Sequence, residues 1–428
     1  MDRAETELIV GLDIGTTKVC AVVGEVDPEG QVKIVGIGDS ESKGLRKGMV
    51  VNIEDTVRSI RQAVQAAGQM AGCDIRSVYV GIAGGHIMGI NSHGVIAVQG
   101  NEVTPSDVDR VLEAARAVAI PSDREVIHTL PQEYIVDSQR GIVDPVGMAG
   151  VRLEVNVHIV TGAVSSAQNI IRSCNRSGLQ VADIALESLA SAKAVLTDEE
   201  REIGVALVDL GGGTSDIAIY ENNAIKHTAV VPLGGSSLTN DIAFGLRTPT
   251  KSAEKIKLKY GCSLASMVEE DESIEVPSVG GRPPQKLSRR VLADICQPRM
   301  EEILHYVNKT LVASGCKDRI RAGVVLTGGA SLIEGCQDLA EAIFDIPTRI
   351  GYPRNIGGLT DVVNNPKFST AVGLLRYGAE QAVRGGFGGA EMLQPTAPTP
   401  QQAEQPEAQE GLFSRIVNTM KRWFQDFT

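Results

Sequence analysis

Two aspartate-glycine loops, far apart in the chain, share one design. The first lies in Leu8-Ile9-Val10-Gly11-Leu12-Asp13-Ile14-Gly15-Thr16-Thr17-Lys18-Val19, and the second in Val205-Ala206-Leu207-Val208-Asp209-Leu210-Gly211-Gly212-Gly213-Thr214-Ser215-Asp216-Ile217. In each, a hydrophobic strand ends in Asp-x-Gly, the chain passes through small hydroxyl and glycine residues, and a second strand follows, Val19 to Val23 or Ile217 to Tyr220. Such a hairpin turn can wrap a phosphate. Its glycines bring backbone N–H groups against anionic oxygens, its hydroxyls add donors, and the carboxylate of Asp13 or Asp209 is placed to hold the water shell of Mg²⁺. One Gly-Thr hairpin is ordinary β-structure, whereas two of the same form point to a shared ligand. Because a strand rather than a helix follows each loop, neither matches a P-loop or a Rossmann fingerprint.

Two further pieces suit the other end of a nucleotide. Ala322 to Leu326 reads as a strand that ends in Thr327-Gly328-Gly329-Ala330 and leads into a helix, so a base or ribose could pack flat on the turn. Ser252 to Gly261 reads as a helix with Ile256 and Tyr260 on its apolar side and Glu254 and Lys257 on its polar side, closed by a glycine stop. Taken alone, that helix would be a solvated charged one.

In this order and spacing the four pieces resemble the nucleotide site of the actin, hexokinase and heat-shock chaperone superfamily. The resemblance implies an α/β fold of two actin-like halves with ATP and Mg²⁺ in the cleft between them. By the same resemblance Asp13, Gly15, Thr16, Thr17 and Lys18 form one phosphate loop and Asp209, Gly211, Gly212, Gly213 and Thr214 the other. Gly328, Gly329, Ala330, Glu254 and Lys257 then surround the adenosine, and Asp13 and Asp209 hold Mg²⁺ through water. Glu187, in Ala185-Leu186-Glu187-Ser188-Leu189-Ala190, stands where superfamily members that hydrolyse ATP position the attacking water. It reads equally as a carboxylate favoured by a helix N-terminus, so the expectation is Mg-ATP binding with slow or regulatory hydrolysis.

The end of the chain has a different character. From Gly385 to Glu410 it is rich in Gly, Pro, Gln, Ala and Glu with almost no large apolar residue, the composition of a flexible tether. In residues 411–428, Leu412, Phe413, Ile416, Val417, Met420, Trp423, Phe424 and Phe427 step by three and four into one wide apolar stripe, and Arg415, Lys421 and Arg422 lie off it. Such a helix either docks in a groove or lies in a membrane interface. The tryptophan on the apolar face and the basic residues beside it favour the interface of an anionic membrane, and the helix is too short and too charged to span one.

An actin-like core with a tethered C-terminal amphipathic helix resembles the FtsA family of bacterial cell-division proteins. Pro131-Gln132-Glu133-Tyr134, Asn156-Val157-His158-Ile159-Val160, Val276 to Pro284 and Ser369-Thr370-Ala371-Val372-Gly373-Leu374-Leu375 carry that likeness, which covers nearly the whole chain except the linker. It implies a self-associating filament on the cytoplasmic face of the inner membrane at the septum, bound to the C-terminal peptide of FtsZ and to later division proteins. The implied layout is 1–85 with 160–200 for the first half and a small α/β insertion at 86–159 for protein contacts. The second half is 201–231 with 299–384, around an embedded subdomain at 232–298 that receives the FtsZ peptide. Within the subdomain Arg282, Lys286, Arg289 and Arg290, together with Arg299 just beyond it, are candidates to pair with acidic residues of that peptide; a basic surface loop is the plainer reading of the cluster. A small-molecule kinase of the same superfamily would need a catalytic Asp beside the first loop and leaves the tail without a purpose. A chaperone-like ATPase would need a substrate-binding domain where only tether and helix follow.

Composition bounds the rest. A chain of 428 residues, 43% hydrophobic and 22% charged, is long enough for two or more domains of a globular protein. Seven scattered cysteines without a CxxC pair indicate neither a disulfide framework nor a zinc site. The first residues, Met1-Asp2-Arg3-Ala4-Glu5, have no signal character, and no stretch is long and apolar enough for a membrane span. A net charge of −12 without an aromatic and basic face speaks against a nucleic-acid partner.

Overall fold

A computed structural model describes residues 6–278, 280 and 282–385; the expected tether beyond Gly385 and the amphipathic helix at 411–428 lie outside the described residues. Two sheets of matching connectivity carry the two loops. In the first lobe the strand order is Gln180–Leu186, Ser77–Ile82, Glu7–Ile14, Lys18–Val26, Val32–Glu41, with Gly357–Gly358 added at the edge. In the second it is Thr348–Ile350, Gly323–Thr327, Val205–Leu210, Ser215–Glu221, Ala224–Val231. Each lobe forms an antiparallel meander from its first three strands and adds the next two in parallel on the other side. The likeness seen in the two loops therefore extends to both sheets. Val205–Leu210 is buried at every position, as a strand covered on both faces must be.

Helices close both faces of the first sheet. Ile53–Ala71 starts at Asn52, whose side chain accepts from the Asp55 N–H, and stops at Gly72 in a left-handed conformation. The other face carries Glu187–Val195 and Ser369–Gly385, which lie between the two sheets and join Val22 and Ile34 to Leu207 and Ala218 through Val195, Ala371, Val372 and Leu375. Small residues let these elements approach: a Cβ added at Gly11 would come within 2.4 Å of the Ala371 carbonyl oxygen, and one at Gly373 within 1.8 Å of that of Ala190.

Between Ser77–Ile82 and Gln180–Leu186 the chain builds a separate four-stranded sheet in the order Met88–Ala97, Arg152–Ala163, Arg124–Val136, Gln139–Ile142. Helix Pro105–Arg116 packs on it through Val108, Val111, Leu112 and Ala115; Thr104 caps it and Asp107 closes the capping box. The pattern before this helix suggests a pair of strands, but one strand, Met88–Ala97, occupies it. Its glycines mark close approaches instead of turns: Gly94 lies against Val111 and Ala115, and Gly89 against His158 and Thr228. His158 joins this sheet to the second lobe. Its Nδ1–H donates to Asn91 Oδ1 at 2.6 Å and its Nε2 accepts from Thr228 Oγ1 at 2.8 Å. Burial first, then His227, pushes its pKa down to about 4, so the ring is neutral.

In the second lobe, helices Gly235–Gly245 and Thr250–Tyr260 and the hairpin Ser273–Val276 with Gln285–Ser288 lead into Arg289–Ala313. That single helix runs across position 298, where the implied layout divides 232–298 from 299–384. Pro298 sits on its exposed side while Met300, Ile303, Leu304 and Val307 face the core.

Candidate functional site

The two loops meet face to face. A Cβ at Gly212 would lie 2.5 Å from Thr17 Oγ1, and one at Gly213 would lie 2.4 Å from Thr16 Oγ1, so only glycine lets the lobes approach this closely. Both turns close with the same bond, Gly15 N–H to the Lys18 carbonyl and Gly211 N–H to that of Thr214, each at 3.0 Å.

Asp13 and Asp209 end their strands buried within this seam. Asp209 Oδ2 accepts from Ser191 Oγ at 2.6 Å and Thr370 Oγ1 at 3.1 Å, one hydroxyl from each helix between the sheets. Its Oδ1 lies against Gly328, where a Cβ would come within 2.3 Å. The antiparallel register sets Asp216 opposite Asp209; Asp216 Oδ2 accepts from Thr214 Oγ1 at 2.7 Å, and its buried Oδ1 has no protein partner among the described residues. Half-buried Glu187 opens helix Glu187–Val195 and packs over Gly81.

Burial holds all four carboxyls above their ordinary range. Asp13 rises to about 6, with Lys18 opposing and Asp209 adding to the rise. Asp216 rises to about 7, with Thr214 opposing and Asp209 and Asp13 adding to it. Desolvation also raises Asp209 against its hydroxyl donors, and raises Glu187 strongly, followed there by the charges of Asp13, Asp216 and Asp209. A hard divalent cation fits such an all-oxygen set and the orphaned Asp216 oxygen, and would favour the ionised forms. Among the described residues no group of three or more His, Cys, Asp or Glu side chains stands close enough to ligate one ion directly.

Against Asp209, Gly328 adopts a left-handed φ of 83° and the chain enters the short 3₁₀ turn Gly329–Leu332. Lys257 is buried and turned inward. Its Nζ donates to the Gly235 carbonyl at 3.1 Å and Thr239 Oγ1 at 2.9 Å, and pairs with Glu254 at 2.8 Å. A Cβ at Gly235 would lie 3.3 Å from Ala330 Cβ and 3.4 Å from Lys257 Nζ, so the Glu254–Lys257 pair and the Gly328 turn converge on Gly235. Gly235 and Ser236 also donate their N–H groups to the carbonyls of Gly211 and Gly212, at 2.9 and 2.7 Å. Sequence reasoning missed Gly234 and Gly235, although a glycine pair between a strand and a helix is the signal that marked Gly328 and Gly329. It also missed Asp216, Ser191 and Thr370. Lys18 is in place but engaged: its Nζ donates to the Lys367 carbonyl at 2.6 Å, lies 4.5 Å from the Phe368 ring centroid and stands 4.0 Å from Asp13.

The chain is 52% identical to "Cell division protein FtsA" of Pseudomonas aeruginosa over 98% of both chains. It belongs to the FtsA family. The profile described as "Cell division protein FtsA" matches residues 206–373, and that of the "SHS2 domain inserted in FTSA" matches 84–161, which contains most of the four-stranded sheet. Among solved structures, a PilM-PilN type IV pilus biogenesis complex matches with a TM-score of 0.62 at 15% identity, covering 87% of this chain and 98% of that one. MreB5 of Spiroplasma citri bound to ADP matches at 0.55 and 14%, covering 88% and 98%. The fold is thus the actin-like one, with an inserted domain as in other FtsA-family chains.

The five basic residues expected to meet the peptide divide into two sets. Arg282, Lys286 and Arg290 are exposed. Arg289 donates to Glu272 at 2.7 Å, to the Tyr260 carbonyl at 2.9 Å and to Glu334, while Arg299 holds Asp241 at 2.5 Å and Glu302. The second set ties together helices, loop and hairpin inside the fold.

Proposed function

We propose that this chain is an ATP-binding, polymerising adaptor of cell division that anchors the FtsZ ring to the inner membrane through residues 411–428 and helps to recruit later division proteins. The single observation that carries the nucleotide part is the abutment of Gly212 and Gly213 on Thr17 and Thr16, which sets two phosphate-wrapping turns and their aspartates on one seam. The ADP in the MreB5 structure supports that part by analogy of fold. Asp13, Gly15, Thr16, Thr17, Asp209 and Gly211 to Thr214 would hold the phosphates and a hydrated Mg²⁺. The Gly328 turn with Glu254 and Lys257 would hold the adenosine, and Glu187 would orient water in a slow hydrolysis. The ion would neutralise phosphate charge when bound.

The inserted domain at 86–159 would serve contacts between protomers and with other division proteins. The subdomain within 232–298 would receive the FtsZ peptide, with Arg282, Lys286 and Arg290 free to meet its acidic residues. The apolar stripe of the tail supports the membrane part, and filament formation would turn a weak single helix into a firm anchor by raising the effective concentration of its neighbours. No described helix is long and apolar enough to cross a membrane, so the tail is the segment to test. Membership of a division family disfavours the small-molecule kinase.

Co-sedimentation with anionic liposomes in Mg-ATP tests the tether. The intact chain should pellet and bring FtsZ with it, while a chain ending at Glu410 and one carrying Trp423→Glu should stay in the supernatant. Equal behaviour of all three would remove the tail from membrane binding.

A further inference from the structure

A third element reaches the seam between the phosphate loops. Leu45–Arg46 and Met49–Val50 form a small hairpin with Arg46 paired to Met49, so Lys47 and Gly48 make a two-residue turn, both left-handed at φ 51° and 76°. The Gly48 N–H donates to Thr16 Oγ1 at 3.0 Å, which fastens the tip to the first loop. A Cβ at Gly213 would come within 2.9 Å of Lys47 Cα, so the tip also rests on the second loop. From behind, Gly84 backs the turn: a Cβ at Gly48 would lie 3.0 Å from its N and Cα.

The tip therefore sits where both loops meet, and the residue there is a lysine. Asn and Gly adopt a left-handed φ more readily than Lys does, so turn chemistry alone does not account for the choice. Lys47 is exposed, and among the described residues no hydrogen bond or ion pair engages its ammonium. Lys18, the lysine inside the first loop, is held by the Lys367 carbonyl, the Phe368 ring and Asp13. Four carboxyl groups line the seam, and a triphosphate entering it brings more negative charge. The uncommitted cation beside both loops is Lys47, on a flexible stem that ends in three donors.

We propose that Lys47 binds the terminal phosphate of a nucleoside triphosphate and so makes the cleft discriminate triphosphate from diphosphate. This rests on the nucleotide reading above. The contact joins a first-lobe hairpin to a phosphate that only the triphosphate carries, so losing the cation weakens one ligand and spares the other.

The test is titration of the full chain with fluorescent ATP and ADP analogues in Mg²⁺. Lys47→Asn keeps a residue that accepts the left-handed turn; it should weaken the ATP analogue about tenfold or more, the loss of one charge-assisted hydrogen bond, and the ADP analogue less than about threefold. Lys47→Gly should reproduce that loss, and Lys47→Arg should restore most of the preference. An unchanged ratio of the two affinities in the Asn and Gly variants overturns the role of Lys47. A parent chain that binds neither analogue overturns the nucleotide reading itself.

Discussion

Gly373→Ala should lower folding stability by about 3 kcal/mol, at the upper end of what overpacking costs, read as a lower urea midpoint with an unchanged slope. Intrinsic propensity argues the other way, since Gly→Ala inside a helix is worth about 1 kcal/mol in favour of the folded state. Position decides between them. The added methyl would stand 1.8 Å from the carbonyl oxygen and 2.3 Å from the carbonyl carbon of Ala190. Both are backbone atoms, so no rotamer change relieves the clash and the helices Ser369–Gly385 and Glu187–Val195 must separate. These helices supply Thr370 and Ser191 to Asp209, so the variant should lose nucleotide affinity along with stability. A Gly373→Ala chain more stable than the parent would show that the two helices do not touch at this point.

Asp13→Asn and Asp216→Asn should each stabilise the nucleotide-free chain at about pH 8 while abolishing Mg-ATP binding. A carboxyl whose pKa is raised by folding binds its proton more tightly in the native state, so native stability falls as pH rises from the unfolded value of 3.8 towards the folded one. The folded values are about 6 for Asp13 and about 7 for Asp216, and each unit is worth about 1.4 kcal/mol, so ionising this mutually repelling cluster costs the fold on the order of a few kcal/mol. An amide removes this ionisation but cannot balance a cation. Melting temperatures followed between about pH 4 and pH 8 should show variant and parent converging at the acidic end, the parent falling progressively behind up to about pH 7, and a constant gap beyond. Variants less stable than the parent at the alkaline end would mean that burial does not strain these carboxylates. Increased stability and lost binding from one substitution would mark the site as one that spends folding energy on a ligand.

The features legible beforehand were those written in consecutive residues. Both Asp-x-Gly turns and the glycine turn after the Gly323–Thr327 strand depend on local spacing, and local spacing is what periodicity and turn chemistry report. Asp216 was not legible as a site residue because its place comes from antiparallel register, which sets it opposite Asp209. Ser191 and Thr370 meet only through tertiary packing; their hydroxyls lie 3.0 Å apart although the chain separates them by 179 positions. Lys257 shows the limit of periodicity most clearly. Spacing put it on the polar side of its helix, but that side meets the Gly235 carbonyl and Thr239 and not solvent.

Helix Ser369–Gly385 lends itself to a mechanical description. Its first turn places Thr370 on Asp209, and its last described residue is Gly385, after which the sequence continues into the Pro-rich segment. A helix of this length is a rod about 25 Å long. Glycine contacts fix it to the first sheet at two points, Gly11 meeting it at Ala371 and its own Gly378 meeting the Tyr79 ring, so it cannot swing independently of that sheet. A pull applied beyond Gly385 thus travels along one stiff, laterally braced strut to the hydroxyl that bonds the second loop's aspartate. Load on the end of the chain and a nucleotide between the loops would then share a single line of force, with the Thr370–Asp209 hydrogen bond at its far end.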